Sequence, residues 1–250
     1  MKSRPAAASA AFVALALAGC TSASDTPAPT HTLTVYAAAS LSDVFVTIGN
    51  DFEARHPGVR VRFMFAGSAE LAAQVSEGAP ADVFASADEA QLKRVGSLMV
   101  GDSEVFATNV LTIVVPAANP AHVTSLADLA DPGIVSVICA PQVPCGAATQ
   151  SLATAAGITL SPVSEETSVT DVLGKVASGQ ADAGVVYVTD VGRAHDIAGI
   201  PIAGAASAVN RYPIGVLAGS KQQEIARSFV DFLLGLSGRD TLARAGFGIP

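Results

Sequence analysis

Four short strings in this 250-residue chain place small and hydroxylated residues where a strand gives way to a helix. Ala37-Ala38-Ala39-Ser40-Leu41-Ser42-Asp43 is the first, and Ala66-Gly67-Ser68-Ala69-Glu70-Leu71 the second. Pro144-Cys145-Gly146-Ala147-Ala148-Thr149 opens a third helix, and Ser168-Val169-Thr170-Asp171-Val172 a fourth. Helix N-termini carry N–H groups without intrahelical acceptors and a partial positive charge, so they bind anions. Small side chains there let a ligand approach the backbone. For any single serine, helix capping is the competing reading. Ser40 with Asp43, and Ser168 with Asp171, each have the spacing of a capping box. Four such starts spread over both halves of the chain favour a shared anion site.

Other chemistries find less support. His31, His56, His122 and His195 are scattered and show no metal-ligand spacing. There is no G-x-S-x-G elbow and no phosphate-binding glycine loop. No spacing singles out two carboxylates as an acid–base pair. A secreted α/β hydrolase or transferase built on Ser40 or Ser68 would need a His or Lys base, and none lies near either serine in sequence. The net charge is −8, there is no basic run and Trp is absent, so nucleic acid is not an expected partner.

Elements must carry these strings, and the chain supplies them after a leader. Lys2 and Arg4 precede an apolar run, Ala10 to Ala18, that is too short to span a bilayer. Charged start, apolar middle and small end describe an export signal over 1–19. Its last residues, Leu17-Ala18-Gly19-Cys20, resemble a lipobox, which would make Cys20 the lipidated first residue of the mature chain on the extracytoplasmic face of the cell membrane. Residues 20–32 are rich in Ser, Thr, Pro and Ala and read as a flexible tether. Cys139 and Cys145 remain as an even pair in an oxidising compartment. They flank a loop stiffened by Pro141 and Pro144 and can form a disulfide, which export favours, or stay as two thiols.

From Leu33 the apolar pattern alternates between strand and helix periods. Strands are expected at Leu33–Ala39, Val59–Ala66, Asp82–Ala87, Val105–Val115, Ile134–Ala140, Ala183–Val188 and Asn210–Ala218. Helices are expected at Leu41–Arg55, Ser68–Glu77, Asp88–Val95, Gly146–Ala156, Ser168–Ser178 and Lys221–Leu236. The rhythm argues for mainly parallel sheets covered by helices. Val75–Phe84 and Val176–Val185 repeat one sentence: helix end, Gly, Ala-Asp, strand. This fits two lobes of similar build, the first from 33–112 plus 214–250 and the second from 113–213, with a ligand cleft between them.

Beyond this reading, the residues resemble a known family. Val35-Tyr36-Ala37-Ala38-Ala39-Ser40-Leu41, Phe65-Ala66-Gly67-Ser68-Ala69-Glu70-Leu71 and Gly78-Ala79-Pro80-Ala81-Asp82-Val83-Phe84 look like the periplasmic molybdate-binding proteins of ABC transporters. Val143-Pro144-Cys145-Gly146, Thr170-Asp171-Val172, Gly184-Val185-Val186-Tyr187 and Ala245-Gly246-Phe247 follow in the same order. The resemblance implies an α/β, two-lobed type II periplasmic-binding-protein fold. It implies capture of molybdate, and of tungstate, for the permease of an ABC importer by a monomeric binder without catalysis or cofactor. The implied ligands of the oxyanion are the hydroxyls of Ser40, Ser68 and Tyr187 and the amides of Cys145 and Val172. A second reading of Tyr187 is a core tyrosine whose hydroxyl finds a local acceptor. Two positions depart from the family. Cys145 stands where a small uncharged residue is common, and Gly67 and Ala69 flank Ser68 where the family string runs Phe-Ala-Ser-Ser-Ser. The same fold tuned to sulfate, and a sensory module with a signalling receptor as partner, are the alternatives.

Overall fold

A computed structural model of the chain describes residues 30–250. The export signal, the lipidation residue Cys20 and the tether up to residue 29 lie outside the described residues. Two five-stranded sheets with packed helices make two α/β lobes. The first sheet runs β2 (Val59–Ala66), β1 (His31–Ala38), β3 (Val83–Ala85), β10 (Asn210–Leu217), β4 (Met99–Asn109). The second runs β7 (Ser164–Glu166), β6 (Ser136–Cys139), β8 (Ala183–Tyr187), β5 (Leu111–Pro116), β9 (Ile197–Pro201). Helices α1 (Ser42–Arg55), α2 (Ser68–Ser76) and α3 (Glu89–Arg94) belong to the first lobe. Helices α4 (Pro144–Ala155) and α5 (Val169–Ala177) belong to the second. The closing helices α6 (Gln223–Leu234) and α7 (Leu236–Arg244) return to pack on β10 and α1.

The folded chain differs from the sequence reading at several points. The sheets are mixed rather than mainly parallel. β1 is parallel to β2 and β3, and β6 to β7 and β8, but β10, β4, β5 and β9 make antiparallel pairs. The run Val105–Val115 is two strands in two sheets, broken at Val110. The chain returns to the first sheet through Asn210, whose register partner is Asn109. The two crossings therefore lie side by side, as a hinge requires. β1 begins at His31, inside the expected tether, because His31 and Thr32 pair with Val59 and Arg60. The expected helix Lys221–Leu236 stops at Leu234, and α7 follows it.

The internal repeat has a structural counterpart. Gly78 and Gly179 end α2 and α5 with φ of 90° and 71°, a backbone open to glycine without strain. Four residues past the first, the Asp82 carboxylate accepts the Thr34 N–H at 2.7 Å while its own N–H reaches the Thr34 carbonyl at 2.8 Å. Asp182 does the same with Val135, at 2.9 and 2.8 Å. Each lobe thus fixes the start of its ligand-facing strand by the same aspartate clamp. Packing in the first lobe centres on Phe45, whose ring meets those of Phe63, Phe106 and Phe229 at centroid distances of 5.7–6.4 Å. This core makes α1, which starts beside Ser40, a rigid base for that residue.

Candidate anion site

The helix starts named above converge where the lobes face each other. Ser40 sits in a 3-10 turn, Ala39–Leu41, between β1 and α1. Ser68 is the first residue of α2, Cys145 the second of α4, and Tyr187 the last of β8. All four line one small cavity, together with Ala87, Ser168 and Val169. The room there for the centre of a water molecule is about 10 Å³, roughly one solvent sphere. The walls must part somewhat to admit a tetrahedral oxyanion, and a sugar or peptide would need far more room. Val172 lies one turn further along α5 and is not part of the wall. Its N–H turns back to the Ser168 carbonyl at 3.4 Å, longer than an ordinary helical bond. Val169, at the start of that helix, lines the cavity in its stead.

The surroundings leave the Ser68 proton available, while Ser40 shares a hydrogen bond with Tyr212 in which either hydroxyl can be the donor. Ser68 Oγ accepts the Ala87 N–H at 3.0 Å, so its own hydrogen is free for another acceptor. Ser40 Oγ lies 3.1 Å from the Tyr212 hydroxyl, a pairing 172 residues apart in sequence. Neither serine caps its helix. The capping-box reading fails for Ser40 because the intervening 3-10 turn puts Leu41 at the start of α1. Ser168 does cap its helix, accepting the Asp171 N–H at 3.3 Å, but the Asp171 carboxylate takes the Ser168 hydroxyl at 2.8 Å rather than its backbone N–H, so the full box is not formed. Among the described residues neither Ser40 nor Ser68 is bonded to a His or Lys, so no base stands ready to make either a nucleophile.

Tyr187 is 1% exposed, and its hydroxyl has no hydrogen-bond partner among the described residues. Burial pushes its pKa well above the ordinary tyrosine value, so it remains a donor. An unpaired buried hydroxyl costs about 1–3 kcal/mol. The nearest polar side chain behind it is Tyr212, whose ring lies 5.9 Å away centroid to centroid. No charged side chain lines the cavity. Positive potential comes from the N-termini of α2, α4 and α5, whose first N–H groups lack intrahelical partners. At α4 the residue at the first position is Pro144, and the first turn makes only the Ala147-to-Val143 bond at 2.9 Å.

Cys139 and Cys145 are joined in a disulfide with their Cα atoms 5.7 Å apart. The bridge ties the end of β6 to the first turn of α4. Gly146 completes this tight corner, since a Cβ there would sit 1.9 Å from the Ala140 carbonyl oxygen. Closing so short a loop stabilises the fold by about 2 kcal/mol. It also fixes the backbone of Cys145, a residue that lines the cavity. Reduction of the bridge is therefore expected to weaken anion binding about tenfold while the protein stays folded at room temperature. Titration with and without reductant checks this. Equal affinities would make the bridge a loop staple alone.

Behind Tyr187, the carboxylate of Asp190 accepts the Tyr187 N–H at 3.0 Å and pairs with Arg193 at 2.9 Å. Burial lifts the Asp190 pKa to about 6 from an ordinary 3.8, and Arg193 only partly offsets this. The folded value lies above the unfolded one, so ionising Asp190 costs stability. That cost is absent below about pH 4 and complete above about pH 6, a few kcal/mol in all. Relative to Asp190→Asn, the wild-type melting temperature is expected to fall between pH 4 and 7. A pH-independent difference between the two would contradict this, whatever constant offset the lost ion pair adds.

Comparison with known proteins extends the geometry. The family model of bacterial extracellular solute-binding proteins matches residues 33–248. The molybdate-binding protein ModA of Mycobacterium tuberculosis (strain ATCC 25618 / H37Rv) is 48% identical over 243 residues, which cover 94% of this chain and 93% of that protein. Among solved structures, the periplasmic molybdate-binding protein of Azotobacter vinelandii superposes with a TM-score of 0.73 at 22% identity, covering 87% of this chain and 99% of the other. The sulfate-binding protein SubI from M. tuberculosis H37Rv also gives 0.73, at 20% identity, covering 87% and 86%. At these identities the two structures establish the two-lobed binding-protein fold, and the fold by itself does not separate the anions.

Proposed function

Since the chain belongs to the bacterial extracellular solute-binding proteins, we propose that it captures molybdate, and tungstate with it, for delivery to an ABC importer. The observation that carries this reading is the donor-only cavity: two serine hydroxyls, an unpartnered buried tyrosine hydroxyl and helix N-termini, with no carboxylate among them. The 48% identity to a molybdate-binding protein supports the choice of anion. Molybdate and tungstate are tetrahedral dianions with no proton near neutral pH, so they accept hydrogen bonds everywhere and donate none. Hydrogen phosphate carries a proton that would find no acceptor, and that mismatch costs binding. Sulfate, also proton-free, is the closer competitor. The smaller ion would leave some donors of a fixed cage unpaired.

In this reading Ser40 and Ser68 hold the ion from the first lobe. The amide of Cys145, the start of α5 at Val169 in place of the expected Val172 amide, and the hydroxyl of Tyr187 hold it from the second. Rotation about the paired crossings at Asn109–Val110 and Asn210 brings the two sets together, and the closed form is what a permease meets. The protein binds without changing its ligand, needs no cofactor, works as a monomer and is tethered outside the cell by lipid on Cys20. The division this motion uses is the expected one, 33–112 plus 214–250 and 113–213, with its boundaries moved to the crossings, because Leu111 and Thr112 pair in the second sheet and Asn210–Pro213 in the first.

Ligand-dependent melting tests the choice of anion. Molybdate and tungstate at equal concentration are expected to raise the melting temperature by several degrees, sulfate by less and phosphate not at all. A larger shift with sulfate would reassign the site to that ion. Tyr187→Phe is expected to weaken molybdate binding about tenfold, from loss of one donor. Ligand-free stability should hold or rise, because the substitution removes an unsatisfied buried hydroxyl. Unchanged titration of that variant would return Tyr187 to the core.

A further inference from the structure

We propose that Arg193 is a positioning residue that latches the two anion-holding segments to one another across the lobes. Arg193 follows β8 in the second lobe, six residues after Tyr187. Its guanidinium reaches into the first lobe at the turn that carries Ser40. Nη1 donates to the Ala39 carbonyl at 3.3 Å, and Nη2 to Ser42 Oγ at 2.6 Å. Nε faces the Asp43 carboxylate at 3.4 Å. On its own side Nη1 also donates to Asp190, which is fully buried and accepts the Tyr187 N–H through its other oxygen. One cation thus spans from the backbone of Tyr187 to the backbone beside Ser40. Its side chain is only 15% exposed, so its contacts are screened little by solvent.

Arg193 does not line the cavity, so it does not hold the ion directly. Its planar donors can meet Ala39, Ser42 and Asp43 only when the lobes are in the relation seen here. Separation of the lobes strands the guanidinium with Asp190 alone. The latch therefore adds to the stability of the closed form relative to the open one. Apparent affinity scales with the population of that form. This inference rests on the reading of the cavity as the oxyanion site. Its consequence is distinctive: loss of the latch lowers affinity for every oxyanion by one common factor, whereas loss of a direct donor changes the discrimination among them.

The test uses the full chain, Arg193→Gln, the double variant Ser42→Ala with Asp43→Asn, and all three changes combined. The first-lobe double variant leaves the Arg193–Asp190 pair intact, so it guards against simple misfolding of the second lobe. Calorimetric titration with molybdate and with tungstate, stopped-flow dissociation and ligand-free small-angle scattering are recorded for each. The double variant is expected to bind both ions roughly tenfold more weakly, by the same factor, through faster dissociation. Arg193→Gln loses at least as much, and the combined variant no more than Arg193→Gln alone, because both break one bridge. Wild-type affinity in the double variant, or full additivity in the combined one, overturns the latch. Failure of the wild-type chain to bind either ion would overturn the functional reading instead. Scattering then decides the latch: a larger radius of gyration in the variants sustains it, and identical profiles overturn it.

Discussion

Gly67→Ala is expected to lower oxyanion affinity by a factor of 10² or more without unfolding either lobe. A Cβ on Gly67 would stand 2.0 Å from the carbonyl oxygen of Thr167 in the opposite lobe, a separation that cannot be tolerated. Both atoms belong to the main chain or are fixed to it, so no side-chain rotation relieves the clash. Gly67 has φ −59° and ψ 137°, which any residue adopts. The cost of alanine there is therefore not local strain but obstruction of lobe approach. The chain escapes it by opening, and opening removes the donors of the second lobe from the ion. Two or three charge-assisted hydrogen bonds at about 1.5–3 kcal/mol each account for the expected factor. Titration with molybdate measures the loss, and thermal melting of the ligand-free protein should be unchanged. Near wild-type affinity in this variant would mean that the lobes bind the ion without approaching as closely as they do here.

Ser40→Ala and Ser68→Ala, each alone, should cost roughly 1–3 kcal/mol of binding, and together about 10² to 10⁴ in affinity. The two hydroxyls reach the cavity from separate helices of the same lobe, so their effects should be close to additive. Their ligand-free stabilities should part company. Ser40→Ala leaves the buried Tyr212 hydroxyl without its 3.1 Å partner, and Ser68→Ala leaves the Ala87 N–H without its acceptor at 3.0 Å. Both are expected to destabilise by about 1–3 kcal/mol, more than loss of a helix cap would suggest. Full affinity in both single variants would remove these residues from the site.

The parts of the fold visible from sequence were those with local cause. Gly78 and Gly179 end helices where a positive φ is needed, and the small-residue starts at Ser40, Ser68 and Cys145 announce strand-to-helix turns open to a ligand. Their arrival at one cavity follows from the resemblance and from topology more than from spacing. Val110 shows what local pattern hides. The run Val105–Val115 has neither Gly nor Pro, so nothing in it marks the passage from one sheet to another. β7 is three polar residues, Ser164–Glu166, and α7 is a polar helix, Leu236–Arg244, so neither carries a legible period. Tyr212, Arg193 and the Gly67–Thr167 approach were invisible for a different reason. Each acts by contact with a residue about 100 or more positions away in the chain, as in the pairing of Arg193 with Ser42, and single-sequence periodicity has no access to such pairs.

Calorimetric titration of the purified protein with sodium molybdate, with sulfate as the paired control, decides whether the cavity is a molybdate site. Saturable binding of one molybdate per chain is expected, with sulfate at least a hundredfold weaker and unable to displace it. Absence of molybdate binding, or sulfate binding as tightly as molybdate, would contradict that reading.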